Sequence, residues 1–110
     1  MDHRINQALK FIDENLDEKL RLKNLSHRFN VSAVYFSDLF KKEIGVCFSK
    51  YMIRLRIAKA KLLLKETSLS IKQVSHSVGY RNVSNFDHYF RKFVGSSPQE
   101  YRKQTQIYTY

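Results

Sequence analysis

The run FRKFVG at positions 90–95 nearly repeats FKKEIG at positions 40–45, in a chain of 110 residues. The likeness extends well beyond six letters. LSHRFNVSAVYFSDLFKKEIGVCFSKY (25–51) lies over VSHSVGYRNVSNFDHYFRKFVGSSPQEY (74–101), at an offset of 49 before the central break and 50 after it. Ser26-His27 falls on Ser75-His76, Asn30 on Gly79, Ser32 on Asn82, Phe36 on Phe86, Phe40 on Phe90, Gly45 on Gly95 and Tyr51 on Tyr101. A chain this short has room for one domain, or for two small modules. The duplication therefore requires a supersecondary unit small enough to occur twice.

That unit is helical. Each copy reads as a short helix, a break of three or four residues and a longer helix. Asn30 and Gly79, at the break, are residue types that tolerate the positive φ of a sharp turn. Ser32 and Asn82 are N-cap residues for the longer helices, and Gly45 and Gly95 are their C-terminal stops. Before the first copy, Ile5, Leu9, Ile12 and Leu16 keep helical spacing. Leu22, Leu25 and Phe29 mark the second helix. Between the copies, a helix of about 18 residues from Phe48 to Lys65 spans roughly 27 Å. It carries two apolar stripes, Tyr51-Leu55-Ala58-Leu62 and Ile53-Ile57-Ala60-Leu64, and the pattern predicts burial on both sides. Ser70 with Gln73, and Ser97 with Pro98 and Glu100, are capping boxes that start a fifth and a seventh helix. The tail QTQIYTY has no helical signal. With three Gly and one Pro, a turn-rich β fold is disfavoured. The expected class is all-α, with about seven helices: two helix-turn-helix subdomains (1–46 and 67–110) joined by a long linker helix (47–66).

The charge is unevenly spread. The first 19 residues hold five acids and three bases, while residues 20–110 hold 17 bases and five acids. A basic segment that repeats a helix-turn-helix layout points to a polyanion, since the second helix of that motif enters the DNA major groove. Successive major grooves on one face lie ~34 Å apart, so one chain is expected to fill two of them without dimerising. Cys47 is the sole cysteine, which excludes a disulfide framework and a Cys-based metal site. No run is long enough to span a membrane, and the N-terminus lacks a signal-peptide layout. A cytoplasmic protein is expected, with no cofactor and no metal. His27 and His76 occupy equivalent positions but read as surface or capping residues. No nucleophile–base pair, paired carboxylates or Gly-rich phosphate loop is present, so an enzyme is not expected.

The second copy, VGYRNVSNFDHYFRKFVGSSPQEYR, resembles the signature of the AraC/XylS family of bacterial transcription regulators. Gly79-Tyr80, Phe86, Phe90, Gly95, Pro98 and Tyr101-Arg102 are in register. YMIRLRIAKAKLLL looks like that family's linker helix and YFSDLFKKEIG like its first reading helix. The resemblance covers residues 5–103. It implies sequence-specific binding of double-stranded DNA at a promoter or operator, commonly by an activator that also touches RNA polymerase. It also implies a domain that usually follows a sensor or receiver domain, so this chain is expected to be part of a larger regulator whose sensor is absent here.

Helical geometry selects the outward faces. Opposite Phe36, Leu39 and Phe40 lie Val34, Ser37, Asp38 and Lys41. Opposite Phe86, Tyr89, Phe90 and Phe93 lie Ser84, Asp87, His88 and Arg91. The expected base readers are Val34, Ser37, Asp38, Ser84, Asp87 and His88. The expected phosphate contacts are Lys41, Lys42, Arg81, Asn82, Arg91 and Lys92, with Lys50 beside them. Relatives often carry Arg where this chain has Asp38 and His88. Asp38 is suited to accept from a cytosine amine or to orient Lys41 or Lys42. Arg54 and Arg56 are expected to be structural, pairing with Glu43, Glu66 or helix ends. The alternative function is a helical protein-interaction adaptor that binds an acidic partner.

Overall fold

Most helices begin where a side-chain oxygen meets free backbone amides. In the computed structural model of the chain, which describes residues 1–106, the order is α1 (His3–Glu14), α2 (Leu22–Arg28), α3 (Ala33–Ile44), α4 (Phe48–Glu66), α5 (Ile71–Ser77), α6 (Val83–Val94) and α7 (Pro98–Thr105). There is no strand among the described residues, and the all-α architecture follows. Ser32 accepts from the Tyr35 amide, and Asn82 from those of Ser84 and Asn85. Gly45 and Gly95 close α3 and α6 in the left-handed conformation. Both capping boxes form, Ser70 with Gln73 and Ser97 with Glu100. Asp2, which the sequence pattern did not single out, caps α1 by accepting from the Arg4 amide at 2.8 Å. Residues 107–110, the end of the unpatterned tail, lie outside the described residues, and α7 takes in its first two, Gln104 and Thr105.

The chain divides into two compact units, Met1–Met52 and Ile53–Tyr110. In the first, α1, α2 and α3 bury Ile5, Ala8, Ile12, Leu25, Phe36 and Phe40, with Phe48 and Met52 from the start of α4. An aromatic series runs through this core. Phe29 stacks on Phe36 at 5.9 Å, Phe36 meets Phe40 at 6.3 Å, and Phe40 takes Phe48 and Tyr51 edge-on at 5.5 and 5.4 Å. In the second unit, Ile57, Ala60 and Leu64 from the rest of α4 join Val74, Val78, Phe86 and Phe90. Tyr101 of α7 meets Phe90 edge-on at 5.6 Å, as Tyr51 meets Phe40.

The repeat is therefore larger than its most legible stretch. Arg4-Ile5, Ala8 and Ile12 recur as Arg56-Ile57, Ala60 and Leu64, and all six apolar residues are buried. α1 and the later part of α4 are the same element in two copies. The first turns of α4 and α7 correspond in the same way. α4 thus closes the first core with Phe48, Tyr51 and Met52 and opens the second from Ile53 onward.

This arrangement corrects the expectation of two buried stripes on α4. Ala58 is exposed and Leu62 is 53% exposed. Beyond Met52 the helix packs in one core, as α1 does, and a helix in one core buries one stripe. The equivalent α1 positions, Asn6 and Lys10, are exposed too. Two smaller expectations change as well. Phe93 is 39% exposed rather than a core anchor, and Leu9 is only half-buried, the adjacent Ala8 taking the core position.

The tight turns differ in residue but match in form. Asn30 has φ 55° and Gly79 φ 97°. In each, an amide beyond the turn reaches back to a buried serine's carbonyl: Val31 to Ser26 at 3.2 Å, and Tyr80 to Ser75 at 2.9 Å. The arginines that open α1's and α4's buried stripes behave differently. Arg56 is buried and donates to the Val78 carbonyl at the end of α5, with its guanidinium 5.9 Å from the Tyr80 ring. It takes the helix-end role expected of it. Glu43 instead accepts from the Asp2 amide at 3.1 Å. At the other end of α4, Arg102 Nε and Gln106 Nε2 donate to the Leu64 carbonyl at 3.1 and 2.8 Å. Gln106 also reaches Thr67 O at 3.0 Å. Side chains of α7 and its cap thus satisfy carbonyls that a helix end leaves open.

Candidate nucleic-acid interface

Burying Phe36 and Phe40 on α3, and Phe86 and Phe90 on α6, fixes what those helices show to solvent. At about 100° per residue, Val34, Asp38 and Lys41 stand opposite the α3 phenylalanines, with Ser37 on the flank. Ser84, His88 and Arg91 stand opposite those of α6, with Asp87 on the flank. Val34 is 73% exposed; Asp38, Lys41, Lys42, Ser84, His88, Arg91 and Lys92 are exposed; Ser37 and Asp87 are partly covered. Arg81 and Asn82, at the entry to α6, are also exposed. Each unit therefore collects its expected residues, five in the first and seven in the second, around one outward helix, with the basic pair, Lys41-Lys42 or Arg91-Lys92, in its last turn.

Three details refine the roles. Asn82's side-chain oxygen is engaged with the Ser84 and Asn85 amides at 2.8 and 3.2 Å, which leaves its amide nitrogen for an anion. Asp38 pairs with neither Lys41 nor Lys42, so the orienting role considered for it is not formed in the free protein. The ion pair forms on α6 instead, where Arg91 Nε donates to Asp87 Oδ2 at 2.8 Å. Ser37 and Lys41 hold the corresponding places on α3, and serine offers no charge to pair.

One group beside the interface escaped the sequence reading. Arg4 Nη2 donates to the Tyr35 hydroxyl at 3.1 Å, and its guanidinium lies 5.3 Å from the Tyr35 ring centre. The same nitrogen meets Asp2 Oδ2 at 3.1 Å. Hydrogen bonds from the Arg4 side chain and amide hold the Asp2 carboxyl below its ordinary pKa. Tyr35 neighbours Val34 at the exposed start of α3, so this contact ties α3 to α1. The correspondence of Arg4 with Arg56 was the available signal.

Among the described residues no three His, Cys, Asp or Glu side chains gather as a metal site, and no helix is long and apolar enough to cross a membrane.

With this geometry in place, the likeness to known proteins is specific. Residues 25–104 match the model of a family described as a helix-turn-helix domain. An uncharacterized HTH-type transcriptional regulator, YdiP of Escherichia coli K12, is 38% identical over 100 residues, covering 91% of this chain and 33% of the relative. The chain spans about a third of the length of the curated relatives it matches. Among solved structures, the C-terminal domain of AraT, a response regulator from Geobacillus stearothermophilus, superposes with a TM-score of 0.90 at 32% identity, covering 94% of this chain and 86% of that one. The DNA-binding domain of AdpA, solved in complex with a target DNA, shares the fold with a TM-score of 0.91 at 24% identity, covering 96% of each chain.

Proposed function

The chain belongs to the AraC/XylS family of helix-turn-helix proteins, and from that premise we propose that it binds double-stranded DNA sequence-specifically as the DNA-binding part of a bacterial transcription regulator. The observation that carries this reading is the duplication: two units, each with one outward helix bearing exposed side chains along its face and a basic pair in its last turn. α3 and α6 each enter a major groove. Val34, Ser37 and Asp38 face the bases of one half-site, and Ser84, Asp87 and His88 those of the other. Val34 is suited to a thymine methyl, Asp38 to a cytosine amine and His88 to a base acceptor. Lys41, Lys42, Arg81, Asn82, Arg91 and Lys92 lie where phosphates would run, and the first-turn amides that Ser32 and Asn82 do not cap add to that grip. DNA contact implies action in the cytoplasm. A contact with RNA polymerase belongs to the same proposal and would show as promoter-dependent stimulation of transcription by purified components.

Selection of bound duplexes from a random pool, repeated at several salt concentrations, tests the reading. Two enriched half-sites are expected, with affinity falling steeply as salt rises. Arg81→Ala should weaken all duplexes alike and flatten the salt slope by about one unit. A pool with no enriched sequence, beside a stoichiometric complex with an acidic protein, would replace this reading with the adaptor.

A further inference from the structure

The ion pair on α6 assigns Asp87 and Arg91 a joint role that neither side chain has alone. Arg91 lies on the outward side of α6, about 140° around the helix from Phe86 and 100° from Phe90, whereas Asp87 lies about 100° and 60° from them, on the flank. Asp87 precedes Arg91 by four residues, the favoured order for such a pair. Its Oδ2 takes the Arg91 Nε hydrogen at 2.8 Å. A guanidinium has two edges that offer paired N–H groups. With Nε engaged, the end carrying Nη1 and Nη2 is the edge left to project outward, and its plane is fixed by the bond behind it.

Resting on the DNA-binding reading above, we propose that Arg91 reads a guanine through this free edge and that Asp87 is the positioning residue that holds it. This moves Arg91 out of the phosphate set and Asp87 out of direct base contact. Charge supports the move. A phosphate clamp works by unopposed positive charge, and the Asp87 carboxylate offsets that of Arg91. The neighbouring Arg81 and Lys92 form no ion pair among the described residues and keep theirs. Guanine, by contrast, presents O6 and N7 side by side and is matched by the fixed geometry of an arginine fork. The two side chains are 42% and 57% exposed, and pairs so exposed contribute little to stability. Folding therefore gives no reason for the pair, while recognition does. It also separates the units. On α3 the same positions hold Ser37 and Lys41, a flexible ammonium with no carboxylate behind it, so a fixed-fork guanine contact belongs to the α6 half-site alone.

The test uses the 110-residue chain and the site it selects. Binding is measured by competition against duplexes changed one base pair at a time. The wild type should prefer G·C at one position of the α6 half-site by roughly 10-fold. Arg91→Lys should abolish that preference, Asp87→Ala should reduce it several-fold at the same position, and the double variant should be no worse than Arg91→Lys. Thermal melting should be nearly unchanged for all three, which separates positioning from folding. Equal loss of affinity for every duplex, with base preference intact, would make Arg91 a phosphate contact and overturn the proposal. Loss of preference at a different base in Asp87→Ala would make Asp87 a reader in its own right and overturn it too. Both results leave DNA recognition standing; a wild type with no preferred site overturns both readings together.

Discussion

The two units share a plan and differ in how firmly local sequence enforces it. In the second, α5 and α7 each start in a complete capping box, and α6 starts at an asparagine that caps two amides. Its turn is a glycine, and its Arg56 is buried against a carbonyl of the same unit. In the first, α2 begins at Arg21 with no side-chain cap, α3 has one capping bond, the turn is an asparagine in a left-handed conformation, and Arg4 turns outward to Asp2 and Tyr35. Both keep the same phenylalanine pair and the same aromatic closure. The comparison teaches that the aromatic core defines the unit, while caps, turn residue and arginine are negotiable around it.

The most damaging experiment should affect both units alike. Phe36→Ala and Phe86→Ala each remove a fully buried ring and should cost about 3–5 kcal/mol in urea unfolding. A tolerated substitution in one unit alone would break the claim of a common core. The turns come next. Gly79→Ala places a side chain at φ 97° and should cost about 1–2 kcal/mol, whereas Asn30→Gly should be neutral or gain a few tenths of a kcal/mol. Capping should show the same asymmetry on a smaller scale. Ser70→Ala and Ser97→Ala should each lose about 1 kcal/mol, while Arg21→Ser, supplying the cap that α2 lacks, should raise the melting temperature.

The smallest effect is expected from Tyr80. Its hydroxyl is buried with no hydrogen-bond partner among the described residues. Burial pushes its pKa up to about 12 from 10.0. The folded state thus favours the neutral phenol, a contribution fully present below pH 10 and lost as pH rises through 12. Tyr80→Phe should be neutral or mildly stabilising at pH 7 and should flatten that alkaline loss, measured as melting temperature against pH. Position 31, the equivalent place in the first unit, holds Val31 and has no such group.

Much of this was legible in the sequence because caps and stops act locally. Ser32, Asn82, Ser70, Ser97, Gly45 and Gly95 do in the fold what their residue types and spacing indicate. The match between α1 and α4 was harder to see. Its offset is 52, against 49 for the short helix that follows, because the first unit carries three more residues between its opening helix and its short one. The α4 stripe misled for a different reason. Ala58 and Leu62 are apolar whether or not a neighbour covers them, and periodicity records residue type rather than coverage. The Asp87–Arg91 pair was available from its four-residue spacing, but reading each side chain as a separate contact hid it.

α4 gives its first turn to one core and its remaining length to the other. A cut after residue 46 would leave Phe40 without the rings of Phe48 and Tyr51. A cut before residue 67 would strip the second core of Ile57, Ala60 and Leu64. The helix is common property that the halves cannot divide, and anyone transplanting one unit into another scaffold would have to copy α4 along with it.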